Sequence, residues 1–274
     1  MAGAAWDQVH AQAAPAQGQP GAQGQAPPPG GGRGRGGPGG RVGGPAVART
    51  AAPVDLTGYW VSLVTDDWRY RMLTPPKGNV DYLPVNQAAR EAANAWDPAK
   101  DTAAGEACKG YGALGVMRLP TRLNITWEGD NILKVETDTG TQTRRLRFNA
   151  GQAPPPAGEL DYQGYSVAQW QGGGGRGRRG GGPAPGATTG AGSELVVTTT
   201  RMKPGYIRKN GIPYSAQAVL TEYWFPFSDA GQQYLAITQK LEDPVYLNEP
   251  YVKTVIFMKQ ANGSGWNPTP CEAA

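Results

Sequence analysis

The chain is 274 residues long, with 41 glycines, 25 prolines, one histidine, two cysteines and a net charge of +4 at neutral pH. That length suits one large domain or two small ones. The single imidazole, His10, lies in low-complexity sequence, which excludes Ser-His-Asp and Cys-His catalysis and imidazole-built zinc or copper sites from the folded part.

Glycine is unevenly spread: 14 of the 41 lie in residues 1–53 and 11 in residues 172–192. The same two segments hold Arg33, Arg35, Arg41, Arg49, Arg176, Arg178 and Arg179. Without these arginines and Asp7 the remainder carries about −2, so the high pI belongs to low-complexity sequence and not to a basic face. Residues 1–53, Ala/Gln/Pro-rich and then Gly/Arg-rich, lack the apolar groups that offset ordering entropy and read as disordered. Ala11-Gln12-Ala13 resembles a signal-peptidase site, but residues 1–10 hold no Lys or Arg. Residues 1–13 are therefore read as a signal-peptide remnant, with an ordinary disordered terminus as the alternative. Gly31–Gly37 has the look of an RGG box without aromatic stacking partners, so no nucleic-acid partner is expected.

The folded part is expected over 54–271, with 272–274 as a tail. Asp55–Thr65 is its first strand: Trp60 and Ser62 fall on one face, Tyr59, Val61 and Leu63 on the other. Asn86–Trp96 is the one short helix, Ala-rich, with Asn86 as its cap. Strands follow near 115–119, 121–128, 131–138, 141–149, 162–170, 194–202, 215–227, 233–242 and 252–260, in sequential hairpins without βαβ alternation. The Gly/Arg insertion 172–192 joins two of them as a second disordered segment. A sheet of this size closes on itself. The fold class expected is mainly β, a single antiparallel up-and-down β-barrel. No apolar run reaches the roughly 18 residues that a membrane-spanning helix needs.

Cys108 and Cys271 are even in number, and the second lies in a Pro-rich tail with little other attachment. A disulfide between them fits an oxidising compartment; two unrelated thiols is the alternative. No Walker A, dinucleotide-binding or EF-hand pattern appears, so neither cofactor nor metal is expected. Carboxylates, arginines and aromatics remain. Asp66-Asp67 and Glu242-Asp243 suit a hard cation or acid–base work, or simply mark turns. Glu222 shares a strand face with Leu220 and Trp224 and needs a partner there, with Arg118, Arg122 and Arg201 as candidates. The connection Arg201–Tyr214 carries Tyr206, Arg208, Lys209 and Tyr214, as a binding loop at a barrel mouth or as a solvated hairpin. Trp68, Trp96, Trp127, Trp170 and Trp224 are core and rim material that also suits an apolar pocket.

Several stretches occur together: Asp55-Leu-Thr-Gly-Tyr-Trp60, the Pro-Pro-Lys-Gly78 turn, Trp96–Asp101, Gly105–Gly112, Met117–Pro120, Ile125–Glu128, Glu136–Thr143 and Gly265–Cys271. In combination they resemble an uncharacterised group of exported bacterial proteins with signal peptides and lipocalin-like, calycin-type barrels. Gly58-x-Trp60 is also the entry signature of lipocalins. The resemblance implies a lipocalin-like barrel and a periplasmic or secreted location, and it brings no activity and no catalytic residue.

The expected function is non-enzymatic binding of a small apolar or amphipathic molecule inside the barrel. Candidate ligand-binding residues are Trp68, Arg118, Tyr206, Arg208, Tyr214, Glu222 and Trp224. The alternatives are a metal-independent isomerase or hydrolase built on a buried carboxylate, and a structural or surface-assembly protein. Oligomeric state is not legible.

Overall fold

A computed structural model describes residues 47–148, 160–171 and 193–273. Residues 1–13, read from the sequence as a signal-peptide remnant, and the Gly/Arg insertion 172–192 lie outside the described residues. The C-terminal end of the segment read as disordered, residues 47–53, is described and carries a short helix, α1 (Ala48–Ala51). Its Ala48 N–H donates to Asn131 Oδ1 at 3.0 Å, and the Arg49 N–H donates to the Asp130 carbonyl.

The strands are β1 (Gly58–Leu63), β2 (Arg122–Glu128), β3 (Ile132–Thr137), β4 (Thr143–Arg147), β5 (Tyr165–Gln171), β6 (Glu194–Thr200), β7 (Gly205–Arg208), β8 (Ile212–Tyr214), β9 (Val219–Asp229), β10 (Gln232–Glu242) and β11 (Tyr251–Lys259). Nine of them close a barrel in the order β1-β11-β10-β9-β6-β5-β4-β3-β2, while β7 and β8 form a separate hairpin. Closure is made by β1, whose Trp60 stands opposite Lys259 on one side and Leu123 on the other. Gly58 opens the strand at φ +106°, a backbone state that side-chain-bearing residues rarely adopt.

Alternation decides what the barrel holds. Trp60 and Ser62 of β1, Leu123 and Ile125 of β2, Leu133 and Val135 of β3, and Leu235 and Ile237 of β10 are buried in turn along their strands. Trp60 is 2% exposed, and its Nε1 donates to the Leu56 carbonyl at 3.0 Å, so the indole's one polar atom is satisfied. Between the apolar layers lies one polar layer. Arg144 donates from NH1 and NH2 to both carboxylate oxygens of Glu222, at 3.1 and 2.5 Å, and both side chains are fully buried. Gln239 Nε2 adds a third hydrogen bond to Glu222, and Arg144 also reaches Thr199.

Three expectations are corrected. The barrel is not wholly up-and-down: eight of its nine pairings are antiparallel, but β4 and β5 run parallel, Leu146 opposite Ser166. A parallel pair requires the chain to cross back, and residues 148–164 supply the length for it. The strand expected at 115–119 is instead a helical turn, α5 (Ala113–Val116), all four residues of which are buried. An apolar run this short has no periodicity with which to tell helix from strand. Helix is also more plentiful than expected. Besides α3 (Gln87–Ala95), whose Asn86 side chain caps the Ala89 N–H, there are α2 (Trp68–Arg71) and α4 (Pro98–Ala103), with a 3-10 turn at Ala107–Tyr111.

All of these elements except α1 lie in connections at one end of the barrel, where β1, β3, β6 and β10 finish and β2, β9 and β11 begin. The β7–β8 hairpin and the C-terminal tail complete this cap. Among the described residues the opposite end has the β2–β3 and β9–β10 turns, α1 and Leu56; β5 also ends and β6 begins there. Among the described residues no helix is long and apolar enough to cross a membrane.

Candidate ligand cleft at the capped end

Cys108 and Cys271 form a disulfide across 163 residues, with their Cα atoms 5.1 Å apart. It fastens the tail to the 3-10 turn. Neighbouring bonds assist: the Thr269 N–H donates to the Asp138 carbonyl, Thr141 Oγ1 to the Thr269 carbonyl, and the Glu272 N–H to the Tyr111 hydroxyl. Gly140, at φ +74°, lets the Tyr111 ring come within 2.3 Å of where a Cβ would stand.

The tail becomes one wall of a cleft of about 310 Å³. Thr269, Pro270 and Glu272 of the tail line it together with Tyr70, Met72 and Leu73, on and just after α2, and with Lys209 and the buried Arg118, Ile207 and Arg208. Met72 and Leu73 are more than half exposed, so the cleft has an apolar lip open to solvent.

Three arginines converge here. Arg71, 4% exposed, spends all its nitrogens on neutral acceptors: Nε on the Arg118 carbonyl at 2.9 Å, NH1 on the Leu63 carbonyl at 2.6 Å, NH2 on Ser62 Oγ at 2.5 Å. It thereby fixes the backbone that carries Arg118. Arg118, 5% exposed, donates to the Tyr251 hydroxyl, stacks over that ring, and comes within 3.6 Å of Asp67. Asp67 is shared, being 2.7 Å from Lys253. Arg208, 5% exposed, lies 4.3 Å over the Tyr70 ring and donates from NH2 to the Asp81 carbonyl at 2.8 Å. Its Nε and NH1 are buried with no hydrogen-bond partner. A register shift in the β7–β8 hairpin between Tyr206 and Arg208 allows Ile207 and Arg208 both to be buried.

The charges register one another. Burial, and then the positive charge of Arg118, push Arg71 down to about 10. Burial chiefly lowers Arg208 as well, with Arg118 adding to it. Burial would raise Asp67, but its hydrogen bond to Lys253 and the charges of Lys253, Arg118 and Arg208 outweigh this and hold the carboxyl below its ordinary value. The cleft is a low-dielectric hollow with more cation than anion around it.

Of the seven candidate residues, Arg118 and Arg208 meet in this cleft. The other five do not. Trp68 is 56% exposed on α2. Tyr206 is turned away: its hydroxyl donates to Asp101 Oδ2 at 2.6 Å, beside Trp96 Nε1 at 3.2 Å and Lys109 Nζ at 2.8 Å on the same carboxylate. Burial and that hydrogen bond raise the Tyr206 phenol, while the three donors hold Asp101 below its ordinary value against the effect of burial. Tyr214 is 1% exposed, its hydroxyl packed against Gly112 and Gly205. Glu222 and Trp224 are inside the barrel, and the partner of Glu222 is Arg144 in place of Arg118, Arg122 or Arg201. The reason is topological: Arg144 points inward from β4, whereas Arg118 belongs to the cap. Asp243 closes a turn by accepting from the Ser215 N–H, Ser215 Oγ and the Val245 N–H.

Tyr70 and Arg71 line the cleft without having been singled out. Asp66-Asp67 beside Arg69–Arg71 was the available signal, a cluster of opposite charges next to an aromatic. Lys209, 5.2 Å over Tyr111, was on the expected loop. A second groove, about 540 Å³, lies at the opposite end by Trp60, Phe225, Phe227 and Tyr234. There the rings stack on one another, Phe227 on Tyr234 at 5.1 Å, and the edge at Ser193 adjoins residues outside the described set. Among the described residues no three His, Cys, Asp or Glu side chains gather as a metal site.

No protein-family model, no curated protein and no solved structure matches the chain.

Proposed function

We propose that this protein is a non-enzymatic binding protein, which holds a small amphipathic molecule in the cleft at the capped end of its barrel. The observation that carries this reading is the cleft's lining: an apolar lip of Met72 and Leu73 together with the buried Arg118 and Arg208 and with Tyr70. Such a pairing of apolar wall and a few convergent polar groups is what small-molecule sites use. The barrel interior is filled by Trp60, Trp224, Phe257 and the Arg144–Glu222 layer, so the binding place moves from the lumen to the mouth. The buried carboxylate on which an enzymatic reading rested is already held by Arg144 and Gln239.

A lipocalin-like architecture and a periplasmic or secreted location belong to the same proposal. They are supported by the closed nine-stranded barrel and by the Cys108–Cys271 bond, since such bonds persist in oxidising compartments.

The test is titration with the neutral probe N-phenyl-1-naphthylamine, followed by displacement with decan-1-ol and decanoate. Saturable single-site fluorescence that weakens in Leu73→Asp is the expected result; Leu73 is exposed, so the fold is not at risk. Absence of saturable binding, or binding indifferent to Leu73→Asp, overturns the reading.

A further inference from the structure

Arg208 is the residue in this cleft whose hydrogen-bonding capacity is least used. A guanidinium carries five N–H donors, and burying them unpaired is unfavourable. Among the described residues, Arg208 has one hydrogen-bond acceptor, the Asp81 carbonyl, and no carboxylate within ion-pairing distance; its Nε and NH1 are buried without partners there. One face of the guanidinium is taken by Tyr70 at 4.3 Å, which leaves its donor edges as the means of contact.

The neighbouring charges do not compensate. Arg71 gives its hydrogen bonds to two carbonyls and a hydroxyl, none of them charged. Arg118 has Asp67 at 3.6 Å, but that carboxylate lies closer to Lys253. Lys209 lines the cleft over Tyr111, and Glu272 is the one carboxylate among the lining residues. Burial chiefly lowers both Arg71 and Arg208, and the charge of Arg118 adds to the lowering of each.

Building on the amphiphile-binding reading, we infer that the ligand's head group is an oxyanion, a carboxylate or phosphate, seated between Arg208 and Arg118 with its apolar tail along Leu73 and Met72. Arginine suits this role because its planar donor array matches carboxylate and phosphate oxygens. Arg71 acts through Arg118 as a positioning residue: it satisfies the Arg118 carbonyl from beneath and adds positive potential without offering a free donor.

The experiment uses the full chain and three ten-carbon probes: decanoate, decyl phosphate and decan-1-ol, measured by calorimetry at low ionic strength. At least one of the two anions is expected to bind roughly 10- to 100-fold more tightly than the alcohol, the range that charge-assisted hydrogen bonds in a shielded site support. The stronger of the two identifies the head as carboxylate or phosphate. In Arg208→Gln that advantage falls to within a few-fold of unity, and Arg208→Lys recovers part of it. The wild-type comparison stands whether or not Arg208→Gln folds. Equal affinity for alcohol and anions overturns the oxyanion assignment and leaves the amphiphile-binding reading in place. Failure of all three probes to bind overturns both.

Discussion

At one end of the barrel, Leu56, Trp60, Leu235 and Phe257 belong to one apolar cluster beside the β2–β3 and β9–β10 turns and α1. At the other, the long connections after β1, β6 and β10 and the returning tail build a cap with an apolar core of its own, Leu83, Val85, Leu114, Ile207, Ile212 and Leu247 among it, to which three buried arginines and a disulfide are added. Both ends are held by apolar packing, and what sets the capped end apart is its cluster of buried arginines. The capped end keeps donors whose partners are incomplete, and that is where a ligand gains most from binding. The Arg144–Glu222 layer lies between the two apolar clusters, with Leu220 on one side and Trp224 on the other.

The largest expected effect breaks the capped end. Replacing both cysteines by serine, or reducing the bond, frees a loop of 163 residues. The loop-closure argument assigns about 5 kcal/mol to a ring of that size. Urea denaturation measures the loss, and hydrogen exchange is expected to quicken first in the tail and in 107–116, while β9 and β10 stay protected. A uniform rise in exchange would say that the two ends are not independent.

Trp60→Ala attacks the opposite end. It should destabilise by about 3–5 kcal/mol, the usual range for deleting a buried indole. Probe affinity at the cleft, measured well below the melting temperature, should not change.

Asp101→Asn sharpens the account of the cap. Its folded carboxyl is below the ordinary value, so its stabilisation is present above about pH 4 and lost as pH falls through the folded value. The variant should lose about 1–3 kcal/mol at pH 7 and show a shallower acid limb in stability against pH. An acid limb as steep as the wild type's would assign that dependence elsewhere.

The smallest effect on stability is expected for Arg208→Gln. Its guanidinium makes one hydrogen bond and one ring contact among the described residues, so thermal melting should move little although anion affinity falls.

Much of the barrel was legible. Alternation placed Trp60 and Ser62 on one face and put Glu222 beside Leu220 and Trp224, as the structure has them. The tail's poverty in apolar residues pointed to the Cys108–Cys271 bond. Less could be read of the cap. Arg208 was recognisable as a candidate because charged residues on a Gly/Pro-shaped connection suggest a mouth, whereas Arg118 was singled out as a partner for Glu222, a pairing that the structure gives to Arg144. Tyr206 is two residues from Arg208 and shared the same signal, yet it serves Asp101, because the register shift that separates them is a three-dimensional event. The partner of Glu222 depended on which strand faces β9 across the lumen, and strand order is not written in a hairpin pattern once β4 and β5 pair in parallel.

The most direct measurement is a crystal structure with 10-bromodecanoate, read by the anomalous signal of bromine. The account places the carboxylate between Arg118 and Arg208 and the bromine near Leu73 at the open lip. Bromine beside Phe225 and Phe227 at the opposite end, or inside the lumen against Trp224, would contradict it.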